Sequence, residues 1–258
     1  MALAVIAPAT ANAQQPFYTD DADVTPKGGV HIESFDEFDW LQPSQVPHLQ
    51  QNTINMRVNY GLGHGLELDL DSPLITIVND GTTVPRRPSG IGDTNFGIKY
   101  NFREETEHSA APALAAVMYV EVPTGDQSTG LGSGLTDVWM YGVVQKTVAG
   151  GVIVRANAGY LFTGNTSTGV VGITTARGRV ATLSGSAARQ MTRTLTVGIE
   201  VAAAVANAVA TDRAQLQAMI GGNYVLREGL TLDVGVIVGH FAASPRTGVQ
   251  VGFSFDRR

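Results

Sequence analysis

The sequence predicts an all-β protein: a single transmembrane antiparallel β-barrel of about twelve strands. Three observations predict it. Apolar residues alternate with polar ones from Val30 to Phe255, with almost no helical stretch between. The polar face of the alternation carries many charges, as the lumen side of a barrel does. The connections between the predicted strands alternate between short turns and long loops.

The clearest strand covers residues 91–102. In this strand a mostly apolar set of residues alternates with a more polar set. A period of two places the two sets on opposite faces of a strand. The first set is Thr94, Phe96, Ile98, Tyr100 and Phe102, and the second is Asp93, Asn95, Gly97, Lys99 and Asn101.

Two of the predicted strands depart from this pattern. In the first strand Asp36 falls on the apolar face and Phe35 on the polar face. In the sixth, Trp139 and Tyr141 share a face with Asp137, so its inner face is ambiguous. Sequence alone leaves the register of both strands open.

The order of the connections favours a barrel over a soluble sheet. A soluble β-sandwich also alternates with a period of two and is the main alternative. Short turns, however, follow the even-numbered strands and long loops mostly follow the odd-numbered ones. Periplasmic turns and extracellular loops produce that asymmetry, which places both termini on the periplasmic side.

Composition excludes several classes of protein. The 258 residues carry a formal net charge of −6, which disfavours a nucleic-acid partner. There are no cysteines, which excludes disulfides and thiolate chemistry. No apolar run approaches the 18 or so residues of a spanning helix. A chain of this kind crosses a bilayer only as strands.

Three segments are predicted along the chain. Residues 1–13 read as the remnant of a signal peptide, since Ala11-Asn12-Ala13 fits an A-x-A cleavage site although no basic region precedes it. Residues 14–27, with their acidic run, are predicted to be a polar lead-in on the periplasmic side. Residues 28–258 are the predicted barrel. The lead-in is too short for a plug domain, which disfavours an energised transporter.

Several short motifs resemble one family of bacterial proteins. They are Thr25-Pro26-Lys27-Gly28, Gly90-Ile91-Gly92-Asp93, Pro123-Thr124-Gly125-Asp126 followed by Gly130-Leu131-Gly132-Ser133-Gly134, and Gly159-Tyr160-Leu161-Phe162-Thr163-Gly164. Together they resemble the MetA-pathway phenol-degradation family of outer-membrane proteins. The resemblance implies a porin-like barrel of Gram-negative bacteria that admits aromatic or other hydrophobic small molecules, and it supplies no catalytic residues.

The candidate site is the lumen of the barrel. Charged residues predicted to point inward are candidates for solute selection: Glu33, Arg57, Glu67, Asp69, Asp71, Asp93, Lys99, Glu121, Asp137, Arg155, Glu200 and Asp233. The alternative is that these groups are structural ion pairs, with Arg57 as the partner of the acidic row at 67, 69 and 71. A glycine-rich loop is the candidate constriction, and its key residues are Pro123, Gly125, Asp126, Gly132 and Gly134.

Catalytic and metal chemistry have little support in the sequence. The five histidines are scattered without metal-ligand spacing. Neither G-x-S-x-G nor H-E-x-x-H occurs, and Ser133 lacks the context of a nucleophile elbow. We expect no cofactor, no metal and no enzyme activity. An outer-membrane hydrolase that uses His31 or His240 is the least favoured alternative.

The sequence therefore predicts passive uptake of small molecules across the bacterial outer membrane. A closed barrel with a structural or adhesive role is the alternative. The expected partners are outer-membrane lipid, a small solute and the barrel-assembly machinery, and no nucleic acid. Outer-membrane barrels commonly end on an aromatic residue, whereas here Asp256-Arg257-Arg258 follows Phe255. The sequence leaves the oligomeric state open.

Overall fold

A computed structural model describes residues 16–106, 110–162, 180–206 and 214–257. Within these ranges no helix is both long and apolar enough to cross a membrane. The helical content there is limited to three short 3₁₀ turns, at Pro43–Gln45, Gln127–Thr129 and Ala149–Gly151. The predicted signal remnant lies outside the described residues.

Thirteen β-strands make up the described chain. The first seven are β1 (Val30–Trp40), β2 (His48–Gly63), β3 (Leu66–Asn79), β4 (Ser89–Ile91), β5 (Thr94–Arg103), β6 (Ala113–Val122) and β7 (Asp137–Val148). The remaining six are β8 (Val152–Phe162), β9 (Val180–Gln190), β10 (Leu195–Ala206), β11 (Gln215–Arg227), β12 (Leu230–Gly239) and β13 (Thr247–Arg257).

The strands form one closed antiparallel sheet. Each long strand pairs with its neighbours along the chain, and β1 pairs with β13 from Val30↔Arg257 to Trp40↔Thr247. The short strand β4 pairs only with β3, next to the segment of β3 that pairs with β5. Together β4 and β5 form one wall strand that is interrupted at Gly92 and Asp93. The predicted twelve-stranded barrel is confirmed.

The two faces of the wall differ as the alternation predicts. Outward side chains are apolar and exposed, for example Phe96 at 53 % and Ile199 at 59 %. Inward side chains are mostly polar and buried, for example Glu33 at 0 % and Asp233 at 1 %. Because each of the twelve long strands has two hydrogen-bonded neighbours, none of them is an edge strand open to pair with another chain.

The two ambiguous strands keep a continuous register. Strand β1 pairs with β2 and β13 without a bulge, so Phe35 points inward and is buried while Asp36 points outward. The side-chain amide of Asn52 on β2 donates a hydrogen bond to the outward Asp36 carboxylate. In β7 both Trp139 and Tyr141 point inward beside Asp137. The inner face of this barrel therefore accepts aromatic rings.

The connections sort to the two ends of the barrel. At one end, which we call the short-turn end, residues 64–65, 149–151, 191–194 and 228–229 join the strands, as does the longer link 104–112. Strand β1 begins and β13 ends at this same end. The opposite end, the long-loop end, carries residues 41–47, 123–136 and 240–246 among its connections.

Candidate functional site

The chain before β1 lies inside the barrel. Residues 16–24, which we call the luminal segment, contain Phe17 at 3 %, Thr19 at 0 %, Asp20 at 3 % and Ala22 at 0 % exposure. These residues contact inward side chains of β5–β8 and β10–β12 rather than solvent. The lumen is thus partly filled by the protein's own N-terminal chain.

Inward glycines make room for the start of the luminal segment. A Cβ on Gly221 of β11 would lie 2.7 Å from Pro16 Cγ, and one on Gly235 of β12 would lie 3.2 Å from Pro16 Cβ. On β10, a Cβ on Gly198 would lie 2.8 Å from the ring of Phe17. Real side chains do not tolerate such contacts without a shift of their neighbours. These three positions form a groove that seats the segment against one side of the wall.

Charges hold the middle of the segment on the opposite side. Lys99 Nζ on β5 lies 3.0 Å from Asp20 Oδ1 and 2.8 Å from Asp21 Oδ1. Arg155 on β8 approaches Asp21 at 3.8 Å, and the Tyr141 hydroxyl donates to Asp20 Oδ2 at 2.8 Å. Because Lys99 and both carboxylates are buried, each charge needs the other to offset its lost hydration.

Hydrogen bonds to the rest of the wall complete the attachment. The backbone N–H of Thr19 donates to Glu200 Oε2 at 2.5 Å, and the Tyr18 hydroxyl donates to the Glu37 carboxylate. Just after the segment, the Thr25 N–H donates to Glu67 Oε2 at 2.5 Å. The segment is thus tied to β1, β3, β5, β8 and β10, and these bonds fix its path through the lumen.

The sequence predicts this stretch as a polar lead-in on the periplasmic side, whereas the structure places residues 16–24 within the lumen. The physical reason is pairing: Lys99 and Arg155 are inward cations, and Asp20 and Asp21 supply their counter-charges. In the sequence, the features that indicate this placement are the inward Lys99 and the inward glycines Gly198, Gly221 and Gly235.

The predicted lumen residues all lie on the inner face. Nine of them are buried: Glu33, Glu67, Asp69, Asp71, Asp93, Lys99, Asp137, Glu200 and Asp233. The other three, Arg57, Glu121 and Arg155, are half-buried. The structure does not bring them together at one point. They divide into groups that hold the luminal segment, groups that pair with one another, and groups near the long-loop end.

One group is an ion-pair network near the start of β1. Arg57 on β2 donates to Asp71 Oδ2 at 2.9 Å and lies 3.5 Å from Glu33 Oε2. The imidazole of His31 bridges Glu33 at 3.1 Å and Asp256 at 2.7 Å. These contacts join β1, β2, β3 and β13 across the place where the barrel closes. For Arg57, Glu33 and Asp71, this arrangement matches the structural alternative.

The predicted constriction loop is attached to the wall through Asp93. The Gly125 N–H donates to Asp93 Oδ1 at 2.9 Å, and the Ser133 N–H donates to Asp93 Oδ2 at 2.6 Å. Leu131, in the same loop, is buried, and its side chain packs against Gly90. One carboxylate therefore holds both ends of the loop and folds it back on the wall.

The beginning and the end of this loop differ in exposure. Pro123 and Asp126 are exposed, whereas Gly132 and Ser133 lie against Asp93. The Ser128 hydroxyl and backbone N–H donate to Asp126 Oδ1 at 2.7 and 2.9 Å, which holds the pKa of that carboxyl below its usual value. Gly134 adopts a φ of 71°, a region that favours glycine, as it turns the chain toward β7.

Replacing Asp93 by Ala is expected to release the loop. The change removes an acceptor shared by two backbone N–H donors, which costs about 1.5–3 kcal/mol per charged hydrogen bond. A cysteine at Leu131, which is 5 % exposed, then reacts faster with a water-soluble maleimide than the same cysteine beside Asp93. The chain has no native cysteine to interfere. Equal labelling rates would show that Asp93 does not hold the loop.

Sequence analysis missed an aromatic cluster on the inner wall. Tyr119 on β6 lies 6.4 Å, between ring centroids, from both Trp139 and Tyr141 on β7, and Trp139 and Tyr141 lie 4.5 Å apart. Tyr141 is buried beside the luminal segment, while Tyr119 and Trp139 remain partly exposed. The sequence feature that indicates this cluster is that Trp139 lies two residues after the inward Asp137, and therefore on the same face of β7.

The described residues that the sequence offers for metal binding or catalysis have structural partners. No group of three or more His, Asp or Glu side chains in the described ranges could hold a metal ion. The Ser133 hydroxyl donates to the Leu135 carbonyl and accepts from the Leu135 N–H, so it serves the loop backbone. His31 is held by two carboxylates, and the ring of His240 packs against Phe241.

A closed antiparallel wall with an apolar outside and a charged, polar inside defines an outer-membrane β-barrel. That architecture places the chain in the bacterial outer membrane. The family described as "Putative MetA-pathway of phenol degradation" matches residues 51–256, and the chain belongs to it. The match covers the barrel from β2 to β13.

Solved structures share the same fold at low sequence identity. An outer membrane channel from Pseudomonas putida F1 is 14 % identical, with a TM-score of 0.66 over 92 % of this chain and 99 % of that one. The KdgM porin, solved with disordered oligogalacturonate, is 10 % identical with a TM-score of 0.58, covering 88 % and 99 %. The NanC porin is 10 % identical with a TM-score of 0.57, covering 88 % and 98 %. No curated protein matches the chain.

Proposed function

We propose that the protein is a passive outer-membrane channel for small molecules, with the short-turn end in the periplasm. The single observation that carries this proposal is the enclosed polar lumen, which the luminal segment fills only in part. Tyr119, Glu121 and Trp139 face inward at a level that the segment leaves partly exposed. A wall with this polarity, closed on itself, provides a polar path through a bilayer.

The charge of the lumen supports a preference for cations and neutral solutes. Inward carboxylates outnumber inward cations among the described residues, and Lys99 and Arg155 are already paired with the luminal segment. Glu37, Asp39 and Asp233 are further inward acidic side chains on the other side of the barrel. A lumen of net negative charge repels anions and concentrates cations.

Aromatic solutes are the finer part of the proposal. The family description refers to phenol degradation, and inward aromatic rings offer a planar solute a surface on which to stack. Tyr119 and Trp139 are the two rings that remain partly exposed. They are the residues that we expect an aromatic solute to touch.

Uptake into liposomes tests the function. Purified protein is reconstituted, and the entry of matched cationic, neutral and anionic solutes of similar size is compared with entry into protein-free liposomes. We expect cationic and neutral solutes to enter faster than the anion. Uptake equal to that of protein-free liposomes for all three would contradict the channel.

The second candidate is a closed barrel with a structural or adhesive role. The observation that favours it is the luminal segment itself, whose many contacts hold it inside the tube. A barrel that stays blocked would give no uptake for any solute. The same liposome experiment therefore separates the two candidates.

A further inference from the structure

Two partly exposed aromatic side chains on neighbouring strands lie on the inner wall of the barrel. Tyr119 and Trp139 are directly paired across β6 and β7, with their planes inclined by 29°. The Tyr119 hydroxyl donates to Asp69 Oδ2 at 3.3 Å, and the indole N–H of Trp139 donates to Thr182 Oγ1 at 3.2 Å. Both side chains are thus held by their polar ends, and both remain partly exposed although they also pack against Gly97 and Tyr141.

A carboxylate without a counter-charge stands next to these rings. Glu121 lies two residues beyond Tyr119 on the same inner face of β6 and pairs across the sheet with Asp137. Its electrostatic neighbours, Asp93, Asp137 and Asp71, are all acidic. In the described part of the chain no side chain forms a hydrogen bond or ion pair with Glu121. Glu121 is therefore an acidic group beside the rings with which an incoming cation can pair.

A second acidic group at this place also lacks a full set of partners. Asp69 is 5 % exposed, and its Oδ2 accepts the Tyr119 hydroxyl bond. Its Oδ1 has no hydrogen-bond partner among the described residues. A buried carboxylate oxygen without a donor is unusual and costly. It places a second acidic side chain at the hydroxyl end of Tyr119.

Together, Tyr119, Trp139 and Glu121 favour one class of ligand. The faces of Trp and Tyr attract cations, most strongly when water is excluded, and a nearby carboxylate adds a charge pair. A bare metal ion would need a cluster of ligating side chains rather than aromatic rings, and the described residues contain no such cluster. A neutral solute leaves Glu121 unpaired. A positively charged nitrogen that carries carbon substituents satisfies the rings and the carboxylate together.

We propose that Tyr119, Trp139 and Glu121 form a binding site for organic ammonium ions inside the lumen. This rests on the proposed function, since it names a solute class for the same channel. The ammonium packs against the faces of the two rings and neutralises Glu121. Asp137 and Asp93 strengthen the negative potential around it.

Tryptophan fluorescence measures this binding without any transport. The chain has two tryptophans, so Trp40→Phe leaves Trp139 as the only reporter. Protein in detergent is titrated with choline and, separately, with 3,3-dimethyl-1-butanol, a neutral molecule of the same shape, at constant ionic strength. We expect a saturable change with choline and none with the alcohol. Equal responses to the two would overturn the proposal, and this comparison needs no lumen variant.

The role of Glu121 is tested in the same background. Glu121→Gln keeps the shape and removes the charge, and we expect choline affinity to fall about tenfold, which corresponds to about 1.4 kcal/mol. Asp36→Asn makes the same chemical change on the outer face and is expected to leave the affinity unaltered. An unchanged choline affinity in Glu121→Gln would refute the proposed site.

The outcomes distinguish this site from the channel proposal. Choline binding in detergent without uptake into liposomes leaves the site standing and contradicts the channel. Uptake of small cations without a choline-specific change at Trp139 leaves the channel standing and contradicts the site.

Discussion

Deletion of residues 16–24 is expected to raise the single-channel conductance by roughly threefold or more, since the lumen of a twelve-stranded barrel is narrow and one strand of chain occupies much of it. The luminal segment contacts inward side chains of the wall, whereas the wall is held by its own inter-strand hydrogen bonds. The barrel therefore still closes without the segment. Planar-bilayer recording of both proteins measures the change.

A peptide with the sequence of the deleted residues provides the control. Added to the deletion variant, it is expected to lower the conductance toward that of the full-length chain, because Lys99, Glu200 and the glycine groove are all still present. A scrambled peptide of the same composition lacks the order of Pro16, Phe17, Asp20 and Asp21 and is expected to have little effect. Equal conductance with and without the segment would show that it does not obstruct the path.

Replacing Lys99 by Met is expected to release the luminal segment within the full-length chain. The change leaves Asp20 and Asp21 buried without Lys99, so that Asp20 keeps the Tyr141 hydroxyl and Asp21 keeps the more distant Arg155 at 3.8 Å. Breaking a buried ion pair by removing one partner costs about 3–5 kcal/mol, which is enough to shift the segment from the bound to the released state. The conductance should then approach that of the deletion variant.

Two further variants show whether the effect comes from the charge pair. Lys146→Met makes the same substitution at a lysine that pairs with Glu105 at 2.6 Å, on a side chain that points away from the lumen, and should leave conductance unchanged. The combined variant Lys99→Met, Asp20→Asn, Asp21→Asn should retain the segment better than Lys99→Met, because no unpaired carboxylate remains on it. Strictly additive effects would indicate that Lys99 and the two aspartates act independently.

Much of the wall could be predicted from the sequence because one physical rule governs it. Lipid outside and water inside impose an alternation, so the inward position of Glu67, Lys99 and Asp233 follows from parity alone. The rule also holds where single residues oppose it. Asp36 points outward and Phe35 inward, because a shift in register would have turned every other residue of β1 to the wrong face.

The path of the luminal segment could not be predicted from the alternation of inward and outward residues. Residues 16–24 have no alternation of their own, and an acidic run with Asp20 and Asp21 is more often solvated than buried. What decides the outcome is the pairing with Lys99, on a strand that begins more than seventy residues later. Such a contact is set by tertiary structure. The inward glycines on β10, β11 and β12 become informative only once the strands are placed side by side.

The aromatic cluster was hidden for a related reason. Trp139 and Tyr141 share parity with Asp137, and aromatic side chains on a barrel wall usually indicate the lipid-facing side. Here Gly97 leaves space for the ring of Tyr119, and Gly159 leaves space for the Cβ of Tyr141, on the inner face. The glycine and its aromatic partner lie on different strands, so neither strand alone predicts the packing.

The most direct test of the central claim is the reversal potential of the full-length protein in a planar bilayer that separates two concentrations of KCl. We predict discrete conductance steps and a reversal potential of the sign that K⁺ permeation produces, because the inward carboxylates outnumber the free inward cations. Absence of conductance in both the full-length chain and the deletion variant, or a reversal potential of the sign that Cl⁻ permeation produces, would contradict this account.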